Sequence, residues 1–393
     1  MFRSPRLSIV FLIITAAACR ASAPLPAEPA AASPASPQTS PPSAAPVGYA
    51  TFTVARPGRE LPAAIWYPAQ APVTTAPVRY HGVPGDAFPD APRAAGGPFP
   101  VVVLSHGSGG VKESAAYLGE RLAAAGYLVA AVDHVGDTFT TIDLARRQEI
   151  TRERPRDVSA LLDALAAPPA GAPAALAGAA DLDRVGVYGH SFGGYTALAL
   201  AGAPVGPTAT WRALCAEHPD AFECALLDPA QPAPLRLRDA RVDAVVGAAP
   251  AGWGIFDGDG AAAIETPVLL LAGGKDVQIE LATRVQPVYD HLRTPRWLVD
   301  LELGTHWTFI DICPFVDHLP AFWQTEVRPQ CAPDAPLSMP AARRLIADAV
   351  VAFFDATLRG DRDAAAALAP DRLRARAAQD RIAVDVKVAG ALR

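Results

Sequence analysis

Residues 184–195, Arg-Val-Gly-Val-Tyr-Gly-His-Ser-Phe-Gly-Gly-Tyr, restrict the fold more than any other stretch of this 393-residue chain. A β-prone run at 184–188 passes through Gly189-His190-Ser191-Phe192-Gly193 into an Ala- and Leu-rich helical stretch that ends near 201. A strand can turn into a helix over so few residues only where neighbouring backbone comes very close. Gly189 and Gly193 provide positions without a Cβ for that approach. The turn lifts the Ser191 hydroxyl clear of the sheet and sets it near the positive end of the helix. G-x-S-x-G is a weak signal alone; between a strand and a helix it marks Ser191 as a candidate nucleophile.

The rest of the chain alternates strand and helix patterns. Strands are expected at 49–55 and 61–67, divided by a turn at Pro57-Gly58, and residues 68–98 read as a Pro- and Gly-rich loop. Residues 99–104 (FPVVVL) form an apolar run of the kind buried on both faces. A helix over 113–125 places Tyr117, Leu118, Leu122 and Ala125 on one side and stops at Gly126. A buried strand follows at 127–132. Val158, Leu161, Leu162 and Leu165 line a further helix, with Pro155 near its start and Pro168 beyond its end. Strands are expected at 242–248, 267–272 and 297–303. A last helix over 341–358 turns Leu345, Ala349, Val350, Phe353 and Phe354 inward, with Ser338 as its cap. The pattern predicts an α/β fold, with a mostly parallel central sheet and helices on both faces. Ligands collect at the carboxyl ends of the strands in such sheets.

The reactive residues fall at those ends. Serine is a poor nucleophile at neutral pH and needs a base. In the α/β-hydrolase fold the order after the nucleophile is acid, then histidine. Asp276 ends the strand and turn of 267–276, and His306 follows the last strand. His306 is expected to take the Ser191 proton and return it to the leaving group, and Asp276 to fix the imidazole tautomer. Asp257 and Asp259 are reserve acids. A tetrahedral intermediate needs preorganised N–H donors. Phe192 N–H is one, and Ser108 N–H, in the loop Ser105-His106-Gly107-Ser108-Gly109-Gly110, is expected to be the second. His106 is expected to brace that loop. Trp253, Phe256 and Trp307 are candidates for lining an acyl pocket, and His134 is either structural or pocket-lining.

Ile65-Trp66-Tyr67-Pro68, Leu104-Ser105-His106-Gly107, residues 189–194 (GHSFGG) and Gly304-Thr305-His306 resemble the platelet-activating-factor acetylhydrolase (isoform II) family. They also resemble its bacterial relatives labelled predicted dienelactone hydrolases. The similarity runs from about 47 to 358. Dienelactone hydrolases use a cysteine where this chain has Ser191. The animal acetylhydrolases carry their acid after an earlier strand, where residues 246–250 offer no Asp here. The later acid is also similar to bacterial polyester hydrolases. The resemblance implies hydrolysis of a carboxylic ester, with a short or medium acyl group or a lipid as substrate, through an acyl-enzyme. The alternatives are cleavage of a polymer ester and, from another class, a catalytically silent binding lipoprotein. No metal or cofactor is expected.

The N-terminus reads as an export signal over 1–18, with Arg3 and Arg6 ahead of a short apolar run at 7–14. Small residues before Cys19 resemble a bacterial lipobox, so Cys19 is expected to be lipidated and to hold the protein at the cell-envelope membrane. Ordinary signal cleavage, leaving a soluble secreted protein, is the alternative. Residues 19–46 are rich in Ala, Pro and Ser and read as a tether ahead of a catalytic domain at 47–360. Residues 203–241 are a candidate flap, and 361–393 read as a tail with a terminal helix and a loose end. Four further cysteines in an exported chain suggest two disulfides. Three pairings are open, and the local one, Cys215–Cys224 with Cys313–Cys331, is preferred. The net charge of −6 and the lack of a basic run give no reason to expect nucleic acid as a partner.

Overall fold

A computed structural model of the chain describes residues 45–392. The signal sequence, the lipidation at Cys19 and nearly all of the tether fall outside the described residues. Among the described residues no helix is long and apolar enough to cross a membrane.

Among the described residues, nine strands of five or more residues form one sheet: β1 (Val47–Arg56), β2 (Arg59–Pro68), β3 (Phe99–Ser105), β4 (Leu128–Val132), β5 (Ala180–His190), β6 (Val242–Ala248), β7 (Val268–Gly273), β8 (Arg296–Leu301) and β9 (Val384–Ala389). Their spatial order is β9-β8-β7-β6-β5-β3-β4-β2-β1, with the short stretch Phe88–Pro89 added beside β1. From β4 to β8 neighbouring strands are parallel, and the flanking β2–β4, β1–β2 and β8–β9 pairs are antiparallel. The parallel strands β3, β4 and β7 are buried almost throughout, as their continuous apolar runs require, and β5 is buried from Val185 onward. The helices are α1 (Ala116–Ala124), α2 (Arg147–Ala166), α3 (Phe192–Leu200), α4 (Ala209–Glu217), α5 (Trp253–Ala262), α6 (Gln286–His291), α7 (Ala321–Val327), α8 (Met339–Leu358), α9 (Arg362–Ala367) and α10 (Pro370–Gln379). α1 packs against α8, and α2 packs against α3. This is the α/β-hydrolase fold: a largely parallel sheet covered by helices on both faces.

β3 pairs with β4 on one side and with β5 on the other. The chain therefore reverses its direction of winding beside β3, and a crevice opens there at the carboxyl ends. Ser105, at the end of β3, is level with Gly189 near the end of β5. This register brings the loop after β3 to the turn that carries Ser191.

Four elements differ from the sequence expectation. Pro155 lies well inside α2, which begins at Arg147. A proline there removes a donor from the helix ladder and frees the carbonyl of Thr151. The Tyr195 hydroxyl donates to that carbonyl at 2.8 Å and replaces the lost bond. The helix expected over 113–125 is regular only from Ala116, because residues 112–115 form a turn. Ser338 occupies the N-cap position of α8, but its side chain makes no capping bond. The segment 361–393 is not loose at its described end: it folds as α9, α10 and β9, and β9 pairs along the whole of β8.

The segment 203–241 is fastened to the body. Glu223 forms an ion pair with Arg284, and the Thr208 hydroxyl donates to Gly254 O at 2.6 Å; within the segment, Cys215 is bonded to Cys224 and the Trp211 indole N–H donates to Glu223 O at 2.7 Å. Cys313 is bonded to Cys331 in the segment after His306. That segment builds a separate apolar cluster from Trp307, Ile310, Ile312 and Val327.

Candidate active site

Ser191 sits in the tight turn between β5 and α3 with φ +54° and ψ −118°, backbone angles that a non-glycine residue rarely adopts. Backbone hydrogen bonds hold it there. Ser191 N–H donates to Ala248 O at 2.9 Å, and Ser191 O accepts from Gly194 N–H at 2.8 Å, Tyr195 N–H at 3.2 Å and Ala251 N–H at 3.0 Å. The two glycines are needed for space. A Cβ on Gly189 would lie 1.9 Å from Gly193 O, and one on Gly193 would lie 1.9 Å from Ser105 O. The Ser191 side chain does not cap α3, which leaves its Oγ for another partner.

That partner is His306, whose Nε2 lies 3.0 Å from Ser191 Oγ. His306 opens a short 3-10 turn, His306–Phe309, capped by the reciprocal bonds of Thr305 and Thr308. On its other side, His306 Nδ1 is 2.9 Å from Asp276 Oδ2. The second Asp276 oxygen accepts the N–H groups of Gln278 and Ile279, both at 2.8 Å. The carboxylate is thus fixed by two backbone donors and turned toward the imidazole. With Nδ1–H given to Asp276, Nε2 is free to accept the Ser191 proton. His190 adds a further restraint. Its Nε2–H donates to His306 O at 2.8 Å, and the two rings pack 4.8 Å apart. Burial, then the neighbouring His306, holds His190 well below the usual imidazole range, so it packs there uncharged.

The loop after β3 passes directly beside the nucleophile. A Cβ on Gly107 would lie 3.2 Å from Ser191 Cβ. The backbone N–H groups of Phe192 and Ser108 donate to no protein acceptor among the described residues. His106 braces this loop: its Nε2 accepts His134 N–H at 3.0 Å, and its Nδ1–H donates to Gly107 O at 2.7 Å. His134 is wholly buried, between Ser105 Oγ at 3.0 Å and Asp157 Oδ2 at 3.1 Å, and so supports the loop from beneath. Burial, and then the charge of Arg154, keeps both histidines well below their ordinary pKa.

The other candidates separate. Trp307 stands perpendicular to His306 at a ring distance of 5.6 Å and is the aromatic candidate that adjoins the site. Phe256 is a core residue, stacked on Tyr195 at 5.5 Å. Trp253 packs against His291 in an open cleft that also holds Asp257 and Asp259. Neither aspartate bonds to His306, which takes its carboxylate from Asp276.

Sequence reasoning missed the group beneath the Ser105–Gly110 loop. Arg154 is fully buried and forms an ion pair with Asp137 at 2.6 Å. It falls in register with Ile150, Val158, Leu161 and Leu165 on the buried face of α2. A charge on an apolar stripe was the available signal.

Residues 51–213 match the family model described as "PETase: PET hydrolase-like". Among solved structures, the chain is similar to a "Ferulic acid esterase from Streptomyces cinnamoneus", with 24% identity and a TM-score of 0.58 over 82% of this chain and 93% of that one. No curated protein matches the chain.

Proposed function

We propose that this protein is a serine hydrolase of carboxylic esters that works through an acyl-enzyme. The observation that carries the reading is the unbroken chain from Ser191 Oγ to His306 Nε2 and from His306 Nδ1 to Asp276 Oδ2. In this mechanism His306 removes the Ser191 proton as Oγ attacks the ester carbonyl. The carbonyl oxygen, now negative, receives the N–H groups of Phe192 and Ser108. Asp276 stabilises the imidazolium that forms. His306 then protonates the departing alcohol. Water, activated by the same imidazole, releases the acid and restores Ser191.

For the substrate, the PET hydrolase-like match favours a polymer or aryl ester over a phospholipid. A second observation supports this. Apolar side chains stand exposed on segments that follow the carboxyl ends of strands: Val277 beside Asp276, Leu303 shortly before His306, and Phe139 and Leu144 on the segment after β4. Such groups suit a water-insoluble ester. The test is a panel of p-nitrophenyl esters of rising acyl length, a feruloyl ester, a polyester film and an acetylated phospholipid. Release of acid from the film and the feruloyl ester, absent in Ser191→Ala, is the expected result. Turnover of the phospholipid alone would replace the polymer reading by the lipid one. No ester turnover anywhere would leave a silent binding protein.

A further inference from the structure

We infer that Arg154 is the positioning residue of the oxyanion site, holding both of its N–H donors through one guanidinium; this rests on the ester-hydrolase reading above. Each branch of the fork leads to one side of that site. Nη1 pairs with Asp137 Oδ2 at 2.6 Å, and the other Asp137 oxygen accepts the Ser108 hydroxyl at 2.7 Å. Nε donates to Thr196 Oγ1 at 3.1 Å, and the Thr196 hydroxyl donates to Phe192 O at 3.1 Å. Nη2 donates to His106 O, one peptide ahead of the Gly107–Ser108 link. The guanidinium also lies over the Phe192 ring, 4.8 Å from its centre. Arg154 therefore touches or reaches through one group both residues whose N–H bonds face the developing oxyanion.

The surroundings show why an arginine suits the place. The pair is buried: Arg154 and Asp137 are 0% and 1% exposed at the side chain, so it is shielded from bulk solvent and from salt. A buried charge persists only when its donors are satisfied, and a planar fork can serve three directions at once. The Ser108 end is secured twice more. Arg147 Nη1 donates to Ser108 Oγ at 3.1 Å, and Gly109 N–H donates to Asp137 O at 2.9 Å. Ser108 is thereby fixed by its side chain, while its N–H has no protein acceptor among the described residues. Preorganised donors stabilise a transition state because they need no reorientation as charge develops.

The position of the donors matters to the tetrahedral state and little to the bound ester, so the inference predicts a loss in kcat with KM almost unchanged. The test compares Ser108→Ala, Arg154→Met and the double variant on a short-chain aryl ester. It also measures inhibition by a boronic acid that forms a tetrahedral adduct on Ser191. Ser108→Ala removes only a half-buried hydroxyl and stays informative if Arg154→Met fails to fold. Expected are a fall in kcat of about 10–100-fold, KM within about two-fold, and boronate affinity falling in step with kcat. The double variant should be little worse than the poorer single one, because both act through one chain of contacts. Wild-type kcat and boronate affinity in folded Ser108→Ala would overturn the inference, as would a loss confined to KM. Failure of the underlying reading looks different: the wild-type protein then turns over no ester and takes no fluorophosphonate label at Ser191, and the inference falls with it.

Discussion

At the scale of single residues, the assignment of the acid separates two similar sequence signals. Asp276 and Asp257 both follow a strand end, but only Asp276 meets the imidazole, at 2.9 Å, while two backbone N–H groups fix its other oxygen. Asp276→Asn can donate to the imidazole and hold the wrong tautomer, so kcat should fall roughly 10³–10⁴-fold. Asp257→Asn should leave kcat within about two-fold, since the half-buried Asp257 carboxylate accepts the Asp259 N–H and makes no bond to His306. Steady-state kinetics of the two variants decide this, and the reverse pattern would move the acid to α5. Ser191, Asp276 and His306 were legible because each ends a strand pattern with a reactive group. Arg154 was not singled out, since nothing in its neighbours tells that a charge on an apolar stripe is satisfied by Asp137 and Thr196, the latter more than forty positions away.

Among the elements, α2 shows how a local rule gives way to tertiary contact. Pro155 reads as a helix start, because an interior proline costs a hydrogen bond and crowds the preceding turn. The fold retains it inside α2 by giving the freed Thr151 carbonyl a donor from α3, the Tyr195 hydroxyl. Tyr195→Phe should therefore cost about 1–3 kcal/mol, the price of a buried acceptor left alone. Adding Pro155→Ala should recover most of that loss, because the new N–H can bond Thr151 within the helix. Urea denaturation of both variants checks it; a double variant no more stable than Tyr195→Phe would contradict the account. The apolar strands β3 to β8 were visible as continuous runs of Val, Leu and Ala. β9 was overlooked because Val384, Val386 and Val388 alternate with Asp385 and Lys387 on an edge, and the surrounding Ala- and Arg-rich stretch reads as a solvated tail.

For the whole molecule, stability should depend on pH through groups far from the site. Glu120, on α1, accepts the Tyr80 hydroxyl and the N–H groups of Asp86 and Ala87 with one oxygen, and so ties the segment before β3 to the body. Burial pushes its pKa up from 4.5 to about 7. Folded protein then holds this proton in a range where unfolded chain has released it, so the contribution is fully present below pH 4.5 and is lost as pH rises through about 7. Glu120→Gln cannot titrate. Its melting temperature should rise relative to the wild type between pH 5 and pH 8, by a margin worth roughly 1–3 kcal/mol after solvent screening. A gap that stays constant across that range would contradict the assignment. The order of the sheet also belongs to this scale. The crevice beside β3 exists only once β4 and β5 have paired on its two sides, which no local pattern in the sequence encodes.

The central claim is that Ser191 and His306 act as one catalytic unit. Its most direct test is kcat/KM on an aryl ester for Ser191→Ala, His306→Ala and the double variant, with folding verified by circular dichroism. The account predicts a loss of roughly 10³-fold or more in each single variant and almost no further loss in the double. Losses that multiply in the double variant, or a folded Ser191→Ala that keeps its activity, would contradict it.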